Sequence, residues 1–290
     1  KSPALERFFQ SPSLEATFGG GEANVAVSLA NYGMDAAFVT ALPNNAIGEA
    51  CLRDVRSFGV DVSNIKMMDG RMGIYFLETG SNQRPSKVVY DRADSCIAKA
   101  PVDTFDWKKI FDGATWFHIT GITPAISQSA ADLSLAAVKA AKEMGVHTCL
   151  DTSGFLNTNY TDEMLEDIDL CLLDVKSGDE ETYHKVTGGT LQPTIDFGQR
   201  LAKAGKKIWV RFVLVPGLTD SEENVENVAK ICESFGDAVE HIDVLGFHQL
   251  GRPKWHELRI PYPLENQKGP NAATRERVTN QFKDHGFTVY

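Results

Sequence analysis

Three consecutive glycines, Gly19-Gly20-Gly21, stand directly before a segment with helical periodicity. Glycine has no Cβ, so the backbone N–H groups of such a turn can come close to a bound polar group. The positive end of the helix dipole adds attraction for that group. The spacing therefore favours ligand binding at this turn. From these residues alone, a glycine turn that only begins a helix remains the alternative.

Five cysteines stand singly along the chain: Cys51, Cys96, Cys149, Cys171 and Cys232. A local metal or iron–sulfur knuckle needs thiolates a few residues apart, and no two of these cysteines meet that spacing. An odd, dispersed set predicts reduced thiols that are mostly buried. We therefore expect no metal site built from them.

Composition narrows the class of protein further. An apolar share of 42% and a charged share of 23% are typical of a globular protein. The net charge of -10 disfavours a nucleic-acid partner, because phosphates need a basic surface. No apolar stretch is long enough to span a bilayer and no basic-then-apolar leader opens the sequence. We expect a cytoplasmic protein with no membrane partner.

Hydrophobic periodicity predicts strands and helices that alternate along the chain. The predicted helices are 22–32, 47–58, 130–144, 194–204, 221–235 and 272–285, and the predicted strands are 36–42, 73–78, 87–90, 116–119, 146–150, 170–175, 207–215 and 241–247. Gly80-Ser81-Asn82 predicts a hairpin turn, and Thr219 with Glu222 a capping box. The predicted fold class is α/β, with mostly parallel sheets of βαβ units.

Four segments of the first half carry a more specific signal: Phe18–Asn24, Pro43-Asn44-Asn45, Ile74–Glu78 and Gln83–Arg92. Together they closely resemble 2-keto-3-deoxygluconate kinases of the ribokinase (PfkB) family, over about residues 10 to 146. The resemblance implies a ribokinase-like, sugar-binding first domain, residues 1–146, with a small β-hairpin lid. The substrate that it implies is a keto-acid sugar.

The resemblance also implies roles for five residues. Gly20 and Asn24 would hold sugar hydroxyls, and Tyr75 and Tyr90 would line the pocket. Arg92 would bind the carboxylate of the sugar acid, a task that suits a planar, two-pronged cation. Without the resemblance, a surface cation and hairpin packing are the alternatives for Arg92 and the tyrosines.

The kinase family's late Asp-Thr-x-Gly-Ala-Gly-Asp signature is absent from the sequence. That loop supplies the general base for the sugar hydroxyl and the anion hole for the triphosphate. Asp151-Thr152-Ser153-Gly154 matches its beginning, but Phe155 follows. We therefore expect no ATP site and identify no catalytic residue.

Four segments of the second half carry a different signal: His147–Phe155, Leu172–Lys176, Trp209–Gly217 and Gly246–Trp255. They closely resemble the C-terminal portion of the pyruvate formate-lyase activating enzymes of the radical S-adenosylmethionine family. The resemblance implies a second domain, residues 147–290, that is a partial (β/α) barrel. Barrel sites lie at the C-terminal ends of the strands.

By this resemblance, Asp151, Thr152 and Asp174 would lie near the sulfonium of S-adenosylmethionine, around a small cation. Lys176 and Arg211 would meet the cofactor's carboxylate or a target peptide of pyruvate formate-lyase. From the residues alone, solvated ion pairs at strand ends are the alternative.

The same resemblance places His248 on the ribose side of the cofactor. The family's cluster motif, Cys-x3-Cys-x2-Cys, does not occur, so the iron–sulfur ligands are absent. We interpret the chain as a fusion of a truncated keto-sugar kinase and a truncated radical activating enzyme without either full activity. The alternatives are a functional PfkB-type kinase, a radical activating enzyme or scaffold for pyruvate formate-lyase, and a pure binding module.

Overall fold

The computed structural model describes residues 1–8, 10, 12–78, 87–252, 255 and 260–290. It divides into two compact units, which we name unit 1 (Lys1–Val146 with Pro253–Pro261) and unit 2 (His147–Arg252 with Tyr262–Tyr290). The expected turn at Gly80-Ser81-Asn82 and parts of the Gln83–Arg92 and Gly246–Trp255 motifs lie outside the described residues.

Unit 1 contains short strands and helices. Its helices are α1 (Gly21–Asn31), α2 (Ala46–Ser57), α3 (Cys96–Lys99), α4 (Trp107–Ile110), α5 (Ile122–Ala125) and α6 (Gln128–Glu143). The strands in the described part of unit 1 form two pairs: β1 (Ala41–Pro43) runs parallel to β2 (Lys66–Met68), and β3 (Ile74–Glu78) runs antiparallel to β4 (Lys87–Asp91). The antiparallel pairing of the hairpin strands agrees with the sequence prediction.

Two predicted strands of unit 1 are wrong in whole or in part. Of 36–42, only the end becomes β1, with an isolated bridge from Ala37 to Asp61. The segment 116–119 forms no strand. Both segments have β-prone residues, but a strand also needs a partner for its backbone, and β-propensity measures fit to such a surface rather than an intrinsic preference.

Unit 2 contains one parallel sheet with the strand order β5-β6-β7-β8. The strands are β5 (Cys149–Thr152), β6 (Leu170–Asp174), β7 (Lys207–Leu214) and β8 (Val239–Gly246). The helices are α7 (Asp162–Glu166), α8 (Glu180–Thr187), α9 (Gln192–Lys203), α10 (Glu222–Glu233) and α11 (Ala272–Asp284). Parallel strands joined by helices confirm the α/β class, and the partial barrel stays a prediction.

The sheet of unit 2 has one apolar face and one polar face. Along β7 the buried residues alternate strictly, from Ile208 to Leu214, because successive side chains of a strand point to opposite faces. The apolar face packs against α9, α10 and α11 through residues such as Phe197, Val228 and Phe282. The opposite face is therefore the one on which polar side chains can meet.

The N-cap of α10 differs from the sequence prediction. Ser221, rather than Thr219, caps this helix, and its Oγ accepts a hydrogen bond from Asn224 N at 3.2 Å. The Thr219 hydroxyl instead accepts from Val215 N and donates to Val213 O, both at 2.8 Å. Thr219 therefore closes the loop after β7 and does not begin the helix.

The five thiols are free, and four of them are buried, as the cysteine pattern predicts. Burial raises the pKa of the Cys171 and Cys232 thiols. Cys149, on β5, is the exposed one. Within the described ranges no three His, Cys, Asp or Glu side chains are arranged to hold a metal ion. None of the helices in that part of the chain is both long and apolar enough to cross a bilayer.

Candidate functional sites

The sheet of unit 2 brings four of the predicted cofactor residues together. Asp151 pairs in register with Leu172 of β6, and Asp174 pairs with Arg211 of β7. Because residues two apart share a face, Asp151, Asp174 and Arg211 all lie on the polar face. Lys176 follows the end of β6 and reaches the same place.

A continuous chain of ion pairs joins these four side chains. Arg211 donates to both carboxylate oxygens of Asp151, at 2.5 and 3.0 Å, and its Nε donates to Asp174 Oδ1 at 2.9 Å. Lys176 Nζ lies 2.9 Å from Asp174 Oδ2. Arg211 and Asp174 are about four-fifths buried, whereas the Asp151 side chain is 63% exposed.

The two neighbouring carboxylates, Asp151 and Asp174, stabilise the charged form of the Arg211 guanidinium. Burial acts to lower the pKa of its guanidinium, but the hydrogen bond to Asp151 and the charge of Asp174 outweigh burial and raise it. Its donors toward Asp151 and Asp174 are already used. Lys176 has three donors and, among the described residues, one carboxylate partner, so it retains capacity for a second anion. These four side chains suit a zwitterionic ligand. Lys176 could bind the carboxylate of such a ligand, and the exposed Asp151 could bind its cationic group.

The other two predicted cofactor residues are placed differently. Thr152 lies on the opposite face of β5 from Asp151, and its Oγ1 accepts a hydrogen bond from Gly154 N at 3.1 Å. His248 is exposed and caps the short helix Gln249–Gly251, its Nδ1 accepting from Leu250 N at 3.3 Å. Neither side chain takes part in the ion-pair chain.

A buried asparagine that the sequence did not single out holds the loops beside this cluster. Asn224 Oδ1 accepts from Ser177 Oγ at 2.6 Å and from Gly178 N at 2.9 Å, in the loop that follows Lys176. Its Nδ2 donates to Thr219 O at 2.7 Å, in the loop after β7. Asn224 therefore ties together the loops after β6 and β7. The sequence feature that could have identified Asn224 is the start of α10. The sequence analysis placed the cap of this helix at Thr219, whereas the cap is Ser221.

In unit 1, the glycine turn lies beside two of the predicted substrate-binding residues, Asn24 and Tyr75. Gly20 has a φ of +155°, which glycine adopts far more readily than other residues, and it precedes α1 as the N-cap. A Cβ placed on Gly19 would lie 3.7 Å from Asn24 Oδ1 and 4.0 Å from the Tyr75 hydroxyl. The turn, the start of α1 and β3 therefore meet at one place.

The hairpin places the remaining predicted residues beside them. Tyr75 and Tyr90 are register partners on β3 and β4, with ring centroids 6.2 Å apart. The Arg92 guanidinium lies 4.4 Å from the centre of the Tyr90 ring, a cation–π contact. A cavity of about 1760 Å³ is lined by Gly20, Tyr75 and Arg92, among others, but not by Asn24 or Tyr90.

Two further side chains, Arg71 and Glu22, form hydrogen bonds next to these residues, and the sequence analysis predicted neither. Arg71 donates to the carboxylate of Asp91, next to Arg92, and to Ala93 O. Glu22 Oε1 accepts three hydrogen bonds, from Thr120 N, Thr120 Oγ1 and Thr123 Oγ1, at 2.7 to 3.0 Å. Burial acts to raise the pKa of Glu22, but the hydrogen bonds from Thr123 and Thr120 outweigh it and lower the pKa.

Comparisons with known proteins find two kinds of relative. Curated relatives include the pyruvate formate-lyase 1-activating enzyme of Escherichia coli, which is 35% identical over 153 residues, 52% of this chain and 62% of that protein. The activating enzyme of Staphylococcus epidermidis is 39% identical over 139 residues, 46% of this chain and 55% of that protein. The chain thus spans about three fifths of the length of these relatives.

Among solved structures, the 2-dehydro-3-deoxygluconokinase of Thermotoga maritima is 38% identical, with a TM-score of 0.55, and the match covers 83% of this chain and 66% of that one. A PfkB protein from Polaromonas shares the fold, at 20% identity and a TM-score of 0.55. Both matches agree with the ribokinase-like fold that the sequence predicts for the first part of this chain.

The family model described as pfkB family carbohydrate kinase matches residues 6–173. The match passes Val146 and takes in β5 and most of β6. It spans 168 of the 290 residues (173 − 6 + 1), which is more than half. The chain therefore belongs to the PfkB family of carbohydrate kinases and also has a region similar to pyruvate formate-lyase activating enzymes.

Proposed function

We propose that unit 1 binds a 2-keto-3-deoxy sugar acid, with Arg92 as the partner of its carboxylate. The observation that carries this proposal is the cavity lined together by Gly20, Tyr75 and Arg92. Asn24 beside the Gly19 turn would serve a sugar hydroxyl, because its amide both donates and accepts. The similarity to the Thermotoga maritima 2-dehydro-3-deoxygluconokinase supports a substrate of this class.

Arg92 suits this role better than the neighbouring arginine. Arg71 is held by both oxygens of Asp91, so its donors in that direction are used. Arg92 forms no ion pair with any described residue and stacks on Tyr90, which leaves the edge of the guanidinium free. A free guanidinium edge can bind a carboxylate through two parallel hydrogen bonds.

We do not assign phosphoryl transfer to these 290 residues. The general base of the kinase chemistry is the last aspartate of the family's Asp-Thr-x-Gly-Ala-Gly-Asp signature, and the sequence that begins like this signature at Asp151 continues with Phe155 and does not reach that aspartate. In the structure both oxygens of Asp151 accept hydrogen bonds from Arg211. An aspartate engaged in this way is not poised to take a proton from a sugar hydroxyl. The proposed function is therefore binding, and a PfkB-type kinase remains the alternative.

Isothermal titration calorimetry with 2-keto-3-deoxygluconate tests the binding proposal. We expect Arg92→Met to weaken binding about tenfold or more, since a charged hydrogen-bond pair is lost. Arg53→Met, on the exposed face of α2, is the control and should bind as the native chain does. Absence of heat with the native chain, or equal affinity of R92M, would refute the proposal. Release of ADP that depends on the sugar acid would establish the kinase instead.

The polar face of unit 2 favours a second ligand, S-adenosylmethionine. The donor set fits the cofactor's amino-acid end, with Lys176 available for the carboxylate and Asp151 for a cationic group. Bound S-adenosylmethionine would supply a 5′-deoxyadenosyl radical, with release of methionine, on accepting one electron from a reduced iron–sulfur cluster. Arg211 would hold the two carboxylates in place. The pyruvate formate-lyase 1-activating enzyme of Escherichia coli is similar in sequence, which makes pyruvate formate-lyase the proposed partner.

Calorimetry with S-adenosylmethionine tests this second ligand separately. Lys176→Met should weaken its binding about tenfold, whereas Lys185→Met, on α8, should not. Anaerobic reconstitution with iron and sulfide is the test of the radical enzyme. A brown, iron-containing product would support it, and a colourless product would leave only the binding role.

A further inference from the structure

The Arg71 guanidinium lies beside the stretch of backbone that carries Arg92. Its Nη1 donates to Asp91 Oδ1 at 2.7 Å and to Ala93 O at 3.0 Å. Its Nη2 donates to Asp91 O at 3.3 Å and also to Asp91 Oδ2. The carbonyl groups on both sides of Arg92 in the chain, those of Asp91 and Ala93, therefore accept hydrogen bonds from one guanidinium.

These hydrogen bonds use most of the donors of Arg71. A guanidinium has five N–H donors, and Arg71 uses two from each terminal nitrogen within the protein. Both Arg71 and Arg92 line the cavity, but Arg71 has no two parallel donors left for a ligand carboxylate. The hydrogen bond with Arg71 lowers the pKa of Asp91 below its ordinary 3.8, so the pair stays charged at neutral pH.

The direction of the Asp91 side chain determines that of Arg92. Successive side chains of an extended chain point to opposite faces. Asp91 is the last residue of β4, and it points toward Arg71. Tyr90 and Arg92 therefore share the other face, and the Arg92 guanidinium lies 4.4 Å from the centre of the Tyr90 ring.

The segment that contains Arg71 also packs against the backbone that follows Arg92. Arg71 O accepts a hydrogen bond from Cys96 N at 3.0 Å. A Cβ on Gly73 would lie 3.4 Å from the Ser95 Cβ and 3.8 Å from the Arg92 Cα. The two segments are thus in close contact, and the hydrogen bonds of Arg71 bear directly on the position of Arg92.

We propose that Arg71 is a positioning residue that gives the site its preference for a sugar acid over an uncharged derivative of the same sugar. It acts through Arg92, because its contacts hold the end of β4 with the Arg92 guanidinium toward the cavity. A flexible cation that is ordered before binding loses less conformational entropy when the ligand binds. This inference rests on the proposed binding function and adds the residue that determines its selectivity.

Calorimetry with 2-keto-3-deoxygluconate and with its methyl ester, which lacks the negative charge, tests the proposal. The native chain should bind the acid about tenfold or more tightly than the ester, because the ester forms no charged pair with Arg92. Arg71→Met should reduce this preference about fivefold or more, while the affinity for the ester changes less than about twofold. Equal losses of acid and ester binding would overturn the proposal, because a merely structural role does not distinguish the two ligands.

A double-mutant cycle gives an independent measurement. If Arg71 acts through Arg92, then R71M/R92M should bind the acid no more weakly than R92M alone. Two arginines that each contact the carboxylate would instead give additive losses, and additivity would overturn the proposal.

Lys99→Met is the matched control for the loss of an ion pair near Arg92. Lys99 Nζ lies 2.9 Å from Asp94 Oδ1, two residues after Arg92, and both side chains are exposed. K99M should keep the native preference for the acid. Loss of the preference in K99M as well would overturn the specific role of Arg71.

Arg71→Lys keeps the proposal testable if R71M does not fold. Lysine keeps the charge opposite Asp91, but one ammonium cannot replace the two parallel donors of a guanidinium. R71K should therefore lose part of the preference for the acid, about threefold. A native preference in folded R71K would overturn the proposal, because the hydrogen bonds to Asp91 O and Ala93 O would then not be needed.

Failure of this inference differs from failure of the binding function. Absence of heat with the acid in the native chain, or equal affinity of R92M, refutes the binding function itself. Native binding that is weakened in R92M, together with an acid preference that R71M retains, refutes only the positioning role.

Discussion

At the scale of single residues, ion pairing distinguishes Arg71 and Arg211 from Arg92. Arg211 is held by Asp151 and Asp174, and Arg71 by Asp91. Among the described residues, the contact of the Arg92 guanidinium is with the Tyr90 ring. The sequence could identify Arg92 and Arg211 through resemblance to known families. It could not reveal Arg71, because its carboxylate partner lies 20 positions away with no periodic signal.

His285 gives unit 2 a pH-dependent contact between α11 and α10. Its Nδ1 lies 2.6 Å from Glu233 Oε1, and its Nε2 lies 2.9 Å from Glu226 Oε2. The hydrogen bonds with Glu233 and then Glu226 raise the pKa of His285 above its ordinary 6.5. The hydrogen bond from His285 lowers the pKa of Glu226 below 4.5.

The raised histidine pKa means that its stabilising contribution is complete below about pH 6.5 and is lost as pH rises through the folded value. The lowered glutamate pKa means that its contribution is present above about pH 4.5 and is lost as pH falls further. We therefore expect the urea midpoint of the native chain to fall between pH 6 and pH 8.5 relative to that of His285→Gln. His147→Gln, at an exposed position, should follow the native chain. A midpoint difference that does not change with pH would contradict this.

At the scale of elements, the loop after β6 is held by direct contact with a helix as well as by Asn224. A Cβ on Gly178 would lie 2.4 Å from Val228 N and 2.6 Å from the carbonyl carbon of Asn227, both in the backbone of α10. Only glycine permits this approach without movement of the loop or the helix. The two contacts together position the loop that carries Lys176.

Gly178→Ala should therefore destabilise unit 2 by about 1–3 kcal/mol, the usual cost of overpacking. Urea unfolding followed by far-ultraviolet circular dichroism measures the change. Gly251→Ala is the matched control, because a Cβ there meets no atom of the described residues within 4 Å. Similar urea midpoints for G178A and G251A would show that the loop after β6 can move to accommodate a Cβ without loss of stability.

Local pattern predicted the elements that have strong periodicity or a partner nearby. Helix α6 was predicted at 130–144 and found at Gln128–Glu143, and β7 was predicted at 207–215 and found at Lys207–Leu214. Helix α8 was missed although its signals are present, since Asp179 caps it and Gly188 ends it with a φ of +74°. The segment 116–119 was predicted wrongly because no local pattern reports whether a strand has a partner.

Within the candidate sites, the chemistry of the residues could be predicted from the sequence, but their geometry could not. The face shared by Asp151, Asp174 and Arg211 follows from strand register, which depends on pairing between distant segments. The role of Asn224 depends on two loops that meet only in the fold. Resemblance to known families therefore identified the candidate residues, and the register of the paired strands determines which of them lie close together.

At the scale of the whole molecule, the two units differ in how well they bury apolar side chains. The twelve largest fully buried side chains of the described residues, from Leu165 to Phe282, all lie in unit 2. In unit 1, Tyr32 is 83% exposed and Trp116 is 80% exposed. Burial of apolar surface is the main favourable contribution to folding, so unit 2 should be the more stable unit.

Native-state hydrogen exchange should report this difference. Amides of β6 and β7 should open only with free energies near the global value, roughly 5–10 kcal/mol. Amides of 115–119 should exchange with an opening free energy close to zero, because they lack hydrogen bonds within the described structure. Slow exchange across 115–119 in the protein alone would show that these amides have partners after all.

The distribution of the thiols has a practical consequence. Four sulfhydryls are enclosed and one, on Cys149, is at the surface, two positions before Asp151 on the same strand. A maleimide dye or a spin label would therefore attach mainly at a single native position beside the ion-pair chain. Spectroscopic detection of ligands on the polar face needs no engineered cysteine.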